Sequence, residues 1–208
     1  IAIPFVYVVS TVATTFINTQ TIFLLRDPNY YNVPKDLIGR VSNDLIFYGY
    51  LVNIVMTIII GYVFDIVGRK KTLVTAGLLS TIFMIFHPYI SPNIYPWLIL
   101  CRMGFSACIC VPGCQPLITD YVQKDSRGRA IALSVLGMVV GDLLTYGVIF
   151  NFTKELEPKM SYGIASVCEV ALVVVLFLLL KEPEIKKYPK KEFKFCELQE
   201  VASDNGVQ

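Results

Sequence analysis

The sequence predicts an all-helical integral membrane bundle, and three observations predict it. Of the 208 residues 55% are hydrophobic and 16% are charged, whereas a soluble domain has roughly a quarter of its residues charged. Six apolar runs recur, at roughly 2 to 25, 44 to 65, 72 to 90, 95 to 121, 129 to 152 and 161 to 180, each near the ~20 residues that a helix needs to cross the hydrocarbon core. The basic residues collect in alternate connections. In lipid only helices or closed barrels satisfy their backbone groups, and these runs are too long and evenly apolar for barrel strands of about ten alternating residues.

The first run carries Tyr7, Thr11, Thr14, Thr15 and Asn18, which share one helical face. A polar stripe inside lipid must face protein or water, so it either hydrogen-bonds to neighbouring helices or walls a hydrated cavity; Thr11, Thr14 and Asn18 are candidate solute contacts. An outer loop from Asp27 to Asn43, with Pro28 and Pro34, separates it from the second run. Between the second and third runs lies the basic turn Gly61-x-x-x-Asp65-x-x-Gly68-Arg69-Lys70-Lys71. Gly61 and Gly68 are expected to permit close helix approach and a sharp turn. Asp65 is placed to pair with a nearby cation.

Three prolines mark the next outer loop, His87 to Pro96. His87 is read as a polar end residue at the interface, and Trp97 as an interfacial anchor. In the fourth run Arg102, Ser106, Gly113 and Asp120 fall on one stripe, interrupted by Pro112 and Pro116. The fifth run holds Gly137, Gly141 and Asp142, and the sixth holds Glu169.

Arg102, Asp142 and Glu169 each cost about 2.5 to 3.5 kcal/mol at a helix centre. Counting from the outer turns at 1.5 Å per residue puts them within about 6 Å of one another in height. Arg102 is therefore expected to pair with Asp142 or Glu169, leaving the other carboxyl to take up a proton; a static buried ion pair is the alternative. Together with Ser106 these three complete the substrate or coupling candidates.

Topology follows from the cations. Arg69, Lys70, Lys71, Lys124, Arg127, Arg129, Lys181, Lys186, Lys187, Lys190, Lys191 and Lys194 fall on one side, and Arg26, Lys35, Arg40, Lys154 and Lys159 on the other. Basic connections stay cytoplasmic, which places both termini inside. Hydropathy collapses from Lys181, dividing the chain into a bundle over 1–180 and a cytoplasmic linker or tail over 181–208. The sequon at Asn151 lies too close to the membrane to be expected to carry glycan.

A net charge of +2 implies no nucleic-acid partner. The six cysteines fall in helices or on the inner side and read as small packing residues, with no disulfide framework and no metal site. No phosphate loop and no set of nucleophile, base and orienter stands at usable spacing, so the chain reads as neither an enzyme nor a cofactor binder. It begins at Ile1 with no initiator Met, from which a fragment is expected.

The turn from Gly61 to Lys71 resembles the signature of the major facilitator superfamily between its second and third helices, with Ile66 where a basic residue is usual. Asp120, followed six residues on by Arg127-Gly128-Arg129, resembles the pattern after the fourth helix, especially in sugar and organic-ion branches. Leu98-x-x-x-Arg102, Gly137-x-x-x-Gly141 and Lys181-Glu182-Pro183 are weaker likenesses. The resemblance implies an amino-terminal six-helix half made of two inverted three-helix repeats. It implies too a secondary active or facilitative transporter of a small solute, working by alternating access. Gly61, Asp65, Gly68, Arg69, Lys70, Asp120, Arg127, Gly128 and Arg129 would then form the cytoplasmic gate motifs. The implied partners are the solute, the bilayer, and a missing carboxy-terminal bundle of the same chain or a second copy. A transport-inactive regulatory or scaffold protein derived from a transporter half is the rival.

Overall fold

The computed structural model describes residues 2–111, 118, 121–153 and 155–181. Gly113, Asp120, Pro112, Pro116, Cys114, Cys196, Lys154 and the tail beyond Lys181 lie outside the described residues. Among the described residues the regular structure is helical throughout: α1 Ala2–Arg26, α2 Lys35–Val67, α3 Arg69–Phe86, α4 Ile99–Ile109, α5 Arg127–Leu144 and α6 Pro158–Leu179. Five helical stretches are long and apolar enough to cross a membrane, and Ile94–Ile109 is a shorter apolar one.

α1 stops at Arg26 because Pro28 cannot continue it. The chain then folds back over Asp27, whose Oδ1 accepts the Asn29 amide at 2.9 Å and whose carbonyl accepts the amides of Tyr30 and Asn32.

Here the expected outer loop of Asp27 to Asn43 is corrected. α2 already begins at Lys35, directly after Pro34, and runs for 33 residues, about 50 Å at 1.5 Å per residue against a hydrocarbon core of ~30 Å. Its first turns carry charge yet stay helical, because outside lipid a charged face is solvated. Ile38 and Val41, one turn apart and in line with buried Leu45, pack on the core.

The turn between α2 and α3 is shorter than expected. Gly68 alone joins α2 to α3, at φ 97°, a backbone conformation that side-chain-bearing residues rarely adopt. Arg69, Lys70 and Lys71 are the first turn of α3 rather than loop. α3 passes into a short 3-10 turn at His87–Tyr89, where Pro88 ends it. α5 continues through a π turn at Thr145–Ile149 and a last turn at Phe150–Thr153. α6 opens on Pro158 at its first position.

α1 lies centrally and packs chiefly on α5 and α6, while α4 packs on α2 and α3, and α3 on α6. One apolar core, with Phe16, Ile17, Leu24, Tyr31, Leu45, Met84, Phe105 and Tyr162, fills the half of the bundle toward the Asp27 and His87 connections. A second, with Val6, Ile60, Phe64, Leu73, Val111 and Leu176, fills the half toward Gly68. Ile54, Ile58, Tyr62 and Ile66 on α2 and Leu136 and Leu143 on α5 stay exposed, as suits surfaces solvated by lipid or by another apolar bundle.

The first core reaches into the connection between α1 and α2 through Tyr31, which is buried and donates its hydroxyl to the His87 carbonyl at 2.9 Å. Burial holds this phenol above its ordinary value. The unfolded chain therefore loses its tyrosine proton first as pH rises past about 10, and stability present below that pH is lost above it. Thermal midpoints measured from about pH 9 to 11 should fall, and fall less in Tyr31→Phe. Equal slopes in the two proteins would remove this role.

Candidate functional site

The polar stripe of α1 does not face one way; its members divide among three neighbours. Thr14 donates to its own helix, to the Ser10 carbonyl at 2.8 Å. Thr15 reaches α5 and donates to Asp142 Oδ1 at 2.6 Å. Asn18 reaches α4, where its Oδ1 accepts a hydrogen bond from Arg102 Nη2. Thr11 packs on Gly141 of α5, and Tyr7 is buried beside Leu73, Tyr121 and Leu180. Thr14, Thr15, Asn18 and Asp142 are half-buried, neither sealed nor bare.

This closeness of α1 and α5 depends on two missing side chains. A Cβ on Gly137 would strike the Pro4 carbonyl oxygen, and one on Gly141 would meet Thr11 Cβ at 2.9 Å and the Val8 carbonyl at 3.0 Å. One turn further out Thr19 and Tyr146 hydroxyls meet at 3.4 Å.

Arg102 is 6% exposed and has no ion pair with Asp142 or Glu169, which corrects the expected pairing. Equal height in the membrane is not proximity: Arg102 projects between α1 and α2, Asp142 meets Thr15, and Glu169 is turned to α3. The fully buried Glu169 accepts a hydrogen bond from Ser80 at 2.7 Å. Ser106 is buried against Gly49 of α2, where a Cβ would come within 2.5 Å of its Oγ. Ser80 was not singled out from the sequence, although a Ser-Thr pair inside an apolar helix is itself a sign of a polar partner.

His87 is also corrected: it is 0% exposed, not an interfacial end residue. Its Nδ1 lies 2.8 Å from the Phe83 carbonyl, and its ring stacks on Tyr162 with centroids 6.1 Å apart. Pro88 turns the chain so that His87 points back into the bundle. Cys101 sits beside it, Sγ 3.5 Å from Nδ1. Trp97 is exposed in the turn that leads into α4.

At the turn between α2 and α3 Arg69 is buried at 7% exposure, while Asp65 Oδ1 pairs with its Nη2 at 2.9 Å and the Phe64 carbonyl accepts from its Nη1 at 2.7 Å. Thr72 Oγ1 donates to the Gly68 carbonyl at 2.7 Å. Lys70 Nζ lies 4.1 Å from the centre of the Phe177 ring on α6. Gly61 faces open space rather than a close helix, so the close approach expected of it is not used within the described residues. Gly128 likewise has room for a side chain. Arg127, half-buried, and exposed Arg129 lie in the first turn of α5.

The profile of the Major Facilitator Superfamily matches residues 5–205. The chain is 24% identical over 151 residues to "Sodium-dependent phosphate transport protein 1" of Oryctolagus cuniculus, an alignment covering 72% of this chain and 32% of that protein. It is 36% identical over 153 residues to "Multi-drug resistance efflux pump PmrA" of two Streptococcus pneumoniae strains, covering 71% of this chain and 33% of each pump. The chain thus spans about a third of the length of these relatives. A multi-pass helical membrane protein that carries the signature turn of a transport family from Gly61 to Lys71, it belongs to the Major Facilitator Superfamily.

Proposed function

We propose that this chain is the amino-terminal six-helix half of a secondary active or facilitative transporter that moves a small solute by rocking against a second bundle. The observation that carries the reading is the half-buried polar seam on α1, where Thr15 meets Asp142 and Asn18 meets Arg102. Desolvating these groups in lipid is costly, and the partial exposure of Thr15, Asn18 and Asp142 suits a water-filled path closed by a second bundle. The relatives' names point to phosphate in one case and to many drugs in the other, which keeps the solute class broad. The excess of cations in the connections at Arg69 to Lys71 and Lys124 to Arg129 supports a cytoplasmic position for both; an impermeant reagent reaching one of these connections from outside would oppose it.

Flux in proteoliposomes of the full-length protein tests the reading, with a solute panel and a varied pH gradient. Uptake of at least one solute is expected, and Asp142→Asn or Glu169→Gln should lower its pH-driven part by about tenfold if either carboxyl carries the coupled proton. An unchanged pH profile in both variants removes the proton role. Binding without flux for every solute favours the regulatory or scaffold rival.

A further inference from the structure

The gap between α5 and α6 carries two hollows in line. These helices scarcely meet before the last turn of α5, and α1, which packs on both, floors the space they leave. At the end toward the Asp27 connection lies a pocket of about 430 Å³, bordered by Gln20, Phe23, Arg26, Asp27, Phe150 and Thr153. One turn deeper on α5, where Thr153 donates to the Ile149 carbonyl at 2.9 Å, an apolar groove of about 300 Å³ begins. Val12 is its floor, Leu144 and Val148 form one wall, and Cys168, Ala171 and Val175 form the other. Each hollow has the size of a site for part of a small ligand.

The two hollows suit opposite chemistries. In the pocket Arg26 and Asp27 offer one charge of each sign, and neither forms an ion pair with a described residue. The rings of Phe23 and Phe150 stand beside them with centroids 5.7 Å apart, while Gln20 and Thr153, almost sealed and 3.4 Å apart, add polar groups behind. Aromatic faces attract quaternary ammonium, and guanidinium attracts phosphate. The groove has no polar lining beyond the Cys168 thiol. Cys168 lies ten residues in from Pro158, about 15 Å at 1.5 Å per residue, the depth of one leaflet of a ~30 Å core. Leu144 stands about 200° around α5 from Asp142, so the groove opens away from the polar seam that a second bundle would close. Lipid meets it there.

We infer that one phosphatidylcholine molecule seats here, with its phosphate on Arg26, its trimethylammonium against Phe23, Phe150 and Asp27, and one acyl chain in the groove between α5 and α6. The inference rests on the membrane setting and not on the transport reading. Because bulk lipid solvates an acyl chain as well as the groove does, only packing holds the tail, and the headgroup selects the lipid.

Thermal midpoints of the full-length protein in detergent, titrated with lipid, test this, because a ligand of the folded state raises the midpoint as it occupies its site. Phosphatidylcholine should act at about tenfold lower concentration than phosphatidylethanolamine, phosphatidylglycerol or diacylglycerol with the same chains. Arg26→Gln, at the exposed end of α1, should abolish that preference. Ala171→Phe, whose ring would fill the groove from an exposed position, should weaken the phosphatidylcholine response about tenfold, while Leu79→Phe, exposed on α3, should leave it unchanged. Both altered positions are exposed, so each variant should fold without lipid. Native mass spectrometry should find one phosphatidylcholine retained by the unaltered protein and none by either variant.

Equal responses to the four lipids in the unaltered protein overturn the inference, and so does a larger response to phosphatidylglycerol, which would mark a simple cationic site. A phosphatidylcholine response that Arg26→Gln and Ala171→Phe both leave unchanged overturns it too and places the lipid elsewhere on the bundle. No lipid response, together with a lower midpoint for Ala171→Phe, gives the groove to the second bundle instead. Flux measurements bear on the transport reading alone, so either reading can fail without the other.

Discussion

Gly137→Leu should prevent the bundle from assembling, with the full-length protein recovered from detergent as aggregate rather than as a monodisperse species. The reason is that the obstacle is backbone. Its new Cβ would lie on the Pro4 carbonyl oxygen, and a main-chain atom of α1 cannot rotate aside as a side chain does. Overpacking in a close-packed interior costs about 1–3 kcal/mol and sometimes more; here the four added carbons force α1 from α5 along the contact that also carries Thr15 to Asp142. Gly137→Ala should lower the thermal midpoint without abolishing folding. Gly128→Ala, where nothing lies within 4 Å, should leave it nearly unchanged. Equal midpoints for Gly137→Ala and Gly128→Ala would contradict the close approach.

Arg69→Ala should be the second large loss, and much larger than Asp65→Asn, although the two residues form one ion pair. The pair is unequal: Arg69 has a side chain 8% exposed and Asp65 one 71% exposed. Removing the arginine opens a hole beside Phe64 and takes away a charge-assisted bond to its carbonyl, worth about 1–3 kcal/mol. Removing the carboxylate charge from an exposed partner costs about 0–1 kcal/mol. Arg69→Lys should fall between them, since one ammonium cannot reach both the carboxylate and the carbonyl as the guanidinium fork does. Chemical or thermal unfolding of the three variants in one detergent tests the order; a cost for Asp65→Asn matching that of Arg69→Ala would show that the charge pair itself matters most.

Much of this fold was legible because lipid narrows the choices. Long apolar runs admit only helices, and prolines at 28, 34, 88 and 158 lie beside the helix boundaries. What misled was polarity near the membrane edge. Lys35 to Asn43 looked like loop because charge does not belong in a crossing, yet Ile38, Val41 and Leu45 already formed a helical stripe there. His87 misled similarly: a histidine among prolines reads as exposed, whereas the turn at Pro88 directs it inward.

The candidate site was legible in composition but not in partnership. The sequence marked Arg102, Asp142, Glu169, Asn18 and Ser106 as groups that apolar surroundings must compensate. Height along a helix, which sequence gives, does not supply azimuth between helices, and azimuth decided that each carboxyl met a hydroxyl instead of Arg102. Thr15 and Ser80 became important only because glycine contacts and helix packing brought them opposite acids.

Gly68 gives α2 and α3 a joint with no slack. Two rods linked by one residue, and clamped there by Arg69 and Thr72, cannot slide lengthwise past each other. Whatever tilts one carries the other, together with the helices that α3 touches. Motion of this half should thus resemble the swing of a door rather than the shuffling of its planks.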